Sequence, residues 1–578
     1  MEYQLILTPS DLLPHLPALL QAPVLAADTE TTGLDPHSDR LRLLQLAIDG
    51  YPVLLIDCFS FLPSGAALLQ QIFDSPSLKI FHNAKFDLQF LRQAHVETEN
   101  IFDTMLAAQL LRSSGGPQRA SLAAVALHYL GESVDKTEQT GDWSRPLTAS
   151  QLDYAARDAA ILLALRKAML PHLKTNGLER VADIEFRCAL AIAAVEYCGI
   201  YLDPARLKAL CRQTETLYEA ALQTLYTYSG PPTYQLTLWG NEEALDVNFE
   251  SNAYVLKLLN QYGIPAVSTS RRSLAPYHDH PLVKALADYR SYAKSLSTFL
   301  HPLPSQIHPV TGRLHPKYGQ IGAWSGRMSC GNPNIQQIPR SHEFRSCFVA
   351  PPGRKLVLAD YSQIELRVAA QYSGDSRMRN AYRKGEDLHT LTASALTNTP
   401  VEQVTKAQRQ AAKAVNFGLI YSMGAGGLAQ YASQSYGVDM TLEEAKHFRD
   451  TFFQLYPGIS WWHHDLQANH PTEGRTLTGR KFLYSQNTGL AGFSNTPVQG
   501  TAADILKHAL GLLAKHLRGT DRKIVGIVHD EILLEVAEHE AQECAVLLKS
   551  VMETAASDIL LDIPCVADAK IADSWAGK

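Results

Sequence analysis

Lys355-Leu-Val-Leu-Ala-Asp360-Tyr-Ser-Gln-Ile-Glu-Leu-Arg367 sets an apolar run against one aspartate and then changes period. Leu356 to Ala359 has the length and composition of a buried strand, Asp360 stands at its end, and a helical pattern begins near Gln363. Such a segment delivers a carboxylate to the rim of a sheet. Far downstream, Ile524-Val-Gly-Ile-Val528 and Ile532-Leu-Leu-Glu-Val536 are apolar segments joined by His529-Asp-Glu531, which reads as a β-hairpin with acids at its tip. Brought together in the fold, Asp360 and Asp530 would provide a platform for two metal ions. Either segment alone reads equally well as an ordinary acidic turn.

Between them, Arg409, Lys413, Phe417 and Tyr421 recur at every fourth position of Thr405–Tyr421, a helix face that drifts by about 40° per step. No acid occurs between Glu402 and Asp439. Two cations followed by two rings suit a triphosphate below a stacked base. An amphipathic core helix accounts for the rings but less easily for two cations in register with them.

The first third holds a second set of carboxylates. Val24-Leu-Ala-Ala27 reads as a buried strand running into Asp28-Thr-Glu30, whose period of two puts both acids on one face. Lys79-Ile-Phe-His-Asn-Ala-Lys-Phe-Asp87 reads as a strand, a helix cap at Asn83, and a first helical turn bearing Asp87. Tyr154 and Asp158, spaced i to i+4, project from one helix face. Asp35 and Asp153 read as surface acids, and Asp103 as a helix cap or a support for the site.

These N-terminal segments resemble, in order and spacing, the three exonuclease motifs of the DEDD superfamily in its tyrosine-bearing, 3′-to-5′ proofreading form. The resemblance implies that Asp28, Glu30, Asp87 and Asp158 hold two Mg²⁺ or Mn²⁺ ions at a single-stranded DNA 3′-end, and that Tyr154 orients or helps deprotonate the attacking water. All five positions are filled, so the proofreading site is expected to be intact.

The later segments are similar to motifs A, B and C of the family A DNA polymerases. The similarity extends through Ser325–Ser329 with Asn334–Pro339, Thr476–Arg480 and Asn495–Asp504, covering most of residues 185–578. It implies that Asp360 and Asp530 bind two further Mg²⁺ ions and that Glu531 supports them. Arg409 and Lys413 would contact the triphosphate of a dNTP, with Lys413 protonating the leaving pyrophosphate. Phe417 would pack beside the incoming sugar and base, Tyr421 would guard the template position, and Glu365 would exclude a ribose 2′-hydroxyl. Gln363 and His389 would line the nucleotide site, while Arg327, Asn495 and Gln499 would touch the minor groove of primer-template DNA. Minor-groove acceptors are shared by every base pair, so donors there test pair geometry without reading sequence.

The expected architecture is multidomain α/β and α+β: an RNase H-like exonuclease domain over residues 1–175 and a right-hand polymerase over 176–578. Its thumb would span about 204–300 and its fingers about 376–490, with the palm built from the remaining segments, including 345–375 and 491–578. Cys330-Gly-Asn332, Ser422 and the stretch from Tyr228 to Asn248 depart from the family pattern, which bears on duplex grip and processivity. A 5′-nuclease domain ahead of the exonuclease motifs is not expected, nor is a large processivity loop in the thumb. This layout fits a stand-alone, monomeric replication polymerase of a phage, plasmid or organelle, with a bacterial repair enzyme as the alternative; the expected location is the cytoplasm.

The bulk properties agree with a large intracellular protein. The 578 residues are 46% hydrophobic and 19% charged, with no run of about 20 apolar residues and a polar, acidic N-terminus unlike a signal peptide. Eight scattered cysteines contain no Cys-x-x-Cys pair, which argues against structural zinc and a disulfide framework. The net charge of −6 lies entirely in residues 1–180, which carry 14 basic and 20 acidic side chains; subtraction from totals of 52 and 58 leaves 38 of each in the rest. A nuclease of the RNA-trimming kind would explain only the first third, and a non-catalytic nucleic-acid-binding protein would explain neither carboxylate set.

Overall fold

The computed structural model describes residues 2–134, 137–231, 234–236, 242–244 and 247–577. In the first third, β1 (Tyr3–Ile6), β2 (Val24–Thr31), β3 (Leu41–Ala47), β4 (Val53–Asp57), β5 (Leu78–Phe81) and β6 (Ile101–Asp103) form one sheet in the order β1-β4-β3-β2-β5-β6. β3 is antiparallel to both neighbours, and the other pairings are parallel. Helix α1 (Ala84–Gln93) follows β5, and the long α2 (Ala149–Thr175) packs on β2, β3 and β4. The reading from sequence contains none of β1, β3 and β6. β3 is buried at every position, yet Arg42 and Gln45 break its apolar run; the Arg42 guanidinium pairs with Asp57, which allows a charge inside the sheet.

The chain leaves α2, turns through Gly177 at a φ of 65° and enters α3 (Glu179–Cys198). This helix is shared. Val181, Ala182, Phe186, Ala189 and Ala193 pack into the core of the first third, whereas Ile184, Cys188, Ala191, Ile192 and Val195 pack into that of the remainder. Apolar residues therefore occupy two stripes of the helix, which explains its nearly continuous apolar sequence.

Helices α4 (Pro204–Ser229) and α5 (Pro281–Ser295) pack together and enclose a smaller cluster with Val255, Leu258 and Leu259. Part of the segment from Tyr228 to Asn248, namely 232–233, 237–241 and 245–246, lies outside the described residues. The second sheet is antiparallel. β7 (Arg354–Tyr361), β8 (Lys523–Val528), β9 (Glu531–Ala537) and β10 (Ala567–Ala572) run in the order β8-β9-β7-β10, and the register sets Asp360 opposite Glu531 on one side and Asp568 on the other. The helical stretch after β7 includes α6 (Ile364–Ser373), α7 (Leu388–Thr397) and α8 (Lys406–Ile420); beyond it, α9 (Leu490–Leu517) lies against α3. Among the described residues no helix is long and apolar enough to cross a membrane.

Four buried charges fasten α3 to the second half. Glu185 Oε1 accepts from Lys507 Nζ at 2.6 Å and from Arg480, and Asp504 Oδ1 accepts from Arg480 Nε at 2.9 Å. Gln320 Nε2 donates to the Glu185 carbonyl at 2.7 Å. All four charged side chains are at most 4% exposed. Burial opposes the charge on Glu185, but Lys507 and Arg480 outweigh it and hold the carboxyl below its ordinary value. Lys507→Met should cost about 3–5 kcal/mol by leaving a buried carboxylate undercompensated. The same change at exposed Lys446, paired with Glu443, should cost less than about 1 kcal/mol. Urea unfolding of both variants checks the difference; similar losses would contradict it.

Two candidate active sites

The first site is built where α1 and α2 converge on β2. β2 carries Asp28 and Glu30, and Thr29 between them donates its hydroxyl to Asp87 Oδ1 at 2.6 Å. α2 brings Tyr154 and Asp158 to the same place: the charges of Asp158 and Asp87 act on Glu30, and those of Asp87, Glu30 and Asp158 on Asp28. Burial, then this mutual repulsion, pushes Glu30 up to about 9 and Asp28 well above its ordinary value. Burial raises Asp87 to about 7, against the hydrogen bond from Thr29. Burial and the Asp158 charge likewise raise Tyr154, whose ring lies 6.4 Å from that of buried Trp143.

The expected cap at Asn83 is corrected. Asn83 occupies the cap position in the left-handed region, with φ 67°, but its side chain makes no cap hydrogen bond. The capping group is Asp103, which accepts from Asn83 N at 3.1 Å and Ala84 N at 2.8 Å while also capping its own helix through Met105 N and Leu106 N. One buried carboxylate thus sets the direction of α1 and of Asp87. Asp35, read as a surface acid, is half-buried and pairs with His308 at 2.7 Å.

Asp28, Glu30, Asp87 and Asp158 crowd one another as an oxygen-only donor set. That chemistry fits hard divalent cations such as Mg²⁺ or Mn²⁺.

The second site is an open cavity of about 1170 Å³ at the rim of the antiparallel sheet. Asp360 reaches it from β7 and Asp530 from the two-residue turn His529–Asp530, where His529 adopts a φ of 59° as a tight hairpin turn requires. Glu531, expected at the tip, instead begins β9. It is 3% exposed and braced by Trp575 Nε1 at 3.2 Å and Arg345 at 3.6 Å. Asp360 and Asp530 again offer oxygen donors suited to Mg²⁺.

The same cavity is lined by Arg409, Lys413 and Phe417 from α8, His389 from α7, and Gln363 and Glu365 just beyond β7. Arg409 is engaged by Asp387 at 2.6 Å, and Asp387 caps α7 through Thr390 N at 2.8 Å. His389 bonds Asn416 at 2.8 Å; burial pushes it down to about 4, so it is neutral at pH 7. Gln363 accepts from the Tyr382 hydroxyl at 3.2 Å. Glu365 is gripped from two directions, by the Arg327 guanidinium and the Tyr421 hydroxyl. The cavity wall includes Arg327 but not Tyr421, Asn495 or Gln499; the last two lie half-buried one turn apart on α9.

Sequence reasoning missed Asp387, Arg345, Trp575 and Asp568, all of which line this cavity. An acid just before Leu388-His-Thr is a helix-start signal that could have found Asp387. Arg345 and Trp575 carry no local signal, because Glu531 meets them only through the fold.

Residues 242–577 match the family model described as DNA polymerase family A, and residues 3–174 match the model described as 3′-5′ exonuclease. DNA polymerase I of Aquifex aeolicus is 35% identical, with 100% of both chains covered. The DNA polymerase I proteins of Pseudomonas aeruginosa and Chloroflexus aurantiacus are each 31% identical over 99% and 96% of this chain, which spans 66% and 62% of their lengths. Among solved structures, the POL domain of Pol1 from M. smegmatis in complex with DNA primer-template and dNTP superposes with a TM-score of 0.81 at 25% identity, covering 99% of both chains.

The first site makes stability depend on pH. Glu30 and Asp87 have folded values near 9 and 7 against ordinary values of 4.5 and 3.8, so the fold favours their protonated forms. Their contribution is complete below the ordinary range and is lost as pH rises through the folded values. In a chelator, the melting temperature should fall between about pH 6 and about pH 9, and Mg²⁺ should restore it at the upper end. Glu30→Gln with Asp87→Asn should flatten the decline, and an unchanged slope would assign it to other groups.

Proposed function

Because the chain belongs to DNA polymerase family A and carries a 3′-5′ exonuclease domain, we propose that it extends a primer 3′-end on template DNA with dNTPs and removes 3′-terminal nucleotides at a separate site. The observation that carries this reading is the second cavity, whose lining gathers Asp360 and Asp530 with Arg409, Lys413 and Phe417. Asp360 and Asp530 would hold two Mg²⁺ ions, which when bound offset charge on the attacking and leaving oxygens of an in-line displacement.

The chain's own groups bind and orient the substrates. Arg409 exchanges Asp387 for triphosphate oxygens, and Lys413 binds the same group and supplies a proton to the departing pyrophosphate. Phe417 packs on the incoming sugar and base. Neutral His389, oriented by Asn416, and Gln363 line the nucleotide position. Glu365 closes off the space beside the sugar; Arg327 and Tyr421 fix its rotamer, so exclusion of a 2′-hydroxyl depends on all three. Tyr421 guards the template position, and Arg327, Asn495 and Gln499 meet the minor groove of the nascent pair.

At the exonuclease site Asp28, Glu30, Asp87 and Asp158 would hold two cations. Tyr154 orients the attacking water or helps deprotonate it. We assign the exonuclease to residues 1–175 and the thumb to about 204–300, with fingers of about 376–490 between palm segments. Relatives from bacteria that match along the entire chain favour a bacterial repair polymerase over one from a phage, plasmid or organelle.

A primer-template assay tests the two-site reading. Asp530→Ala should reduce extension at least about a hundredfold and leave 3′-end degradation intact. Asp28→Ala with Glu30→Ala should do the reverse. Loss of both activities in either folded variant would refute it. Separately, Glu365→Ala should raise the ratio of ribonucleotide to deoxyribonucleotide incorporation, and Arg327→Ala should shift it the same way to a smaller degree. A ratio that Glu365→Ala leaves unmoved would remove Glu365 from sugar selection.

A further inference from the structure

Cys211 and Glu215 lie one turn apart on α4, and His301 follows the π-helical turn Leu296–Leu300 that continues α5. Cys211 Sγ is 3.6 Å from Glu215 Oε1, His301 Nε2 is 3.1 Å from the same oxygen, and the three donor atoms all lie within 4.8 Å of one another. Tetrahedral zinc, with bonds of about 2.3 Å to sulfur and about 2.0 Å to nitrogen and oxygen, spaces its ligands by about 3.5 Å for S to O and about 3.3 Å for N to O. The two separations, those of hydrogen bonds without an ion, also match the spacing of adjacent ligands around one ion. Glu215 and His301 are 45% and 54% exposed, which gives an ion an entry path and leaves a fourth position to water.

The position in the fold is equally specific. On α4, Leu207 belongs to the large core of the second half, and Ala221 and Leu225 to the smaller cluster. On the facing strand of structure, Leu286 and Tyr289 belong to the smaller cluster, and Leu296, Phe299 and Leu300 to the large core. Cys211 and Glu215 lie between the two sets on α4, and His301 follows Leu300 directly at the large-core end of the facing segment. A π-turn inserted next to a polar cluster often marks a functional position.

We propose that Cys211, Glu215 and His301 form a site for a zinc-class divalent metal that clamps α4 to the segment following α5. The absence of Cys-x-x-Cys spacing does not exclude it, since the ligands come from α4 and from the segment after α5, 90 residues apart in sequence. On binding, the Cys211 thiol loses its proton to solvent as the sulfur–metal bond forms, and no oxidant or reductant takes part. The site is independent of the polymerase reading: the sites around Asp360 and Asp28 offer oxygen donors, not thiolates.

That contrast supplies the test. The full chain, stripped by a chelator, is titrated with Co²⁺ alone and then with Zn²⁺ alone. Wild type should develop thiolate-to-cobalt charge-transfer absorption that saturates at one ion per chain and is displaced by Zn²⁺. Cys211→Ser should lose the band, and His301→Gln should weaken cobalt binding at least about tenfold. Both variants should melt with the wild type in the chelator, and Zn²⁺ should raise the melting temperature of wild type only. Absence of the band in wild type, or its persistence undiminished in Cys211→Ser, would overturn the proposal.

Discussion

The placement of one half of the molecule against the other depends on Glu185, Arg480, Asp504 and Lys507, four charges shut away from water on α3, on α9 and in the turn that precedes the strand Lys481–Leu483. An ion pair so deeply buried is a costly way to gain stability, and hydrophobic replacements often do as well. Its physical value is selectivity. Apolar surfaces tolerate sliding, whereas two acids and two bases with defined hydrogen-bond directions accept one register. Because α3 also lines the core of the first third, that register sets where the β2 carboxylates stand relative to the antiparallel sheet.

The two candidate sites face opposite electrostatic problems. Around Asp28 the negative groups crowd one another, and protons or metal ions must relieve them. Around Asp360 the wall supplies Arg327, Arg340, Arg345, Arg409 and Lys413, enough positive charge to draw in a polyanion. Several of these are provisionally neutralised within the protein: Arg409 by Asp387, Arg327 by Glu365 and Arg345 by Glu531. Such internal partners hold long flexible side chains at the cavity wall. The net charge of −6 averages over these two environments and describes neither.

Sequence was most informative where short apolar runs end in a single acid. The β7 and β2 carboxylates and the hairpin bearing Asp530 follow directly from that pattern, because strand period and turn length are local properties. It failed where polar residues are buried by partners distant in sequence. β3 was hidden by Arg42, whose partner Asp57 lies on another strand, and the cap of α1 was given to Asn83, although Asp103 supplies it from β6. Within the second site, Glu531 has its place fixed by Trp575, 44 residues away in sequence. Arg345 and Trp575 themselves have no pattern around them to betray the contact. Asp387 falls between these cases, since its helix-cap signal was local and its pairing with Arg409 was not.

The double-sided α3 also governs how this molecule can be taken apart. A fragment beginning at residue 176 would keep the helix but strip its cover from Val181, Ala182, Phe186, Ala189 and Ala193, presenting water with a continuous greasy stripe. A fragment ending at residue 175 would uncover the matching face along α1 and around Phe102, whose ring meets that of Phe186. Swapping either half between relatives is thus a graft across a shared beam, and it succeeds only when the incoming partner brings side chains shaped to the face it must cover.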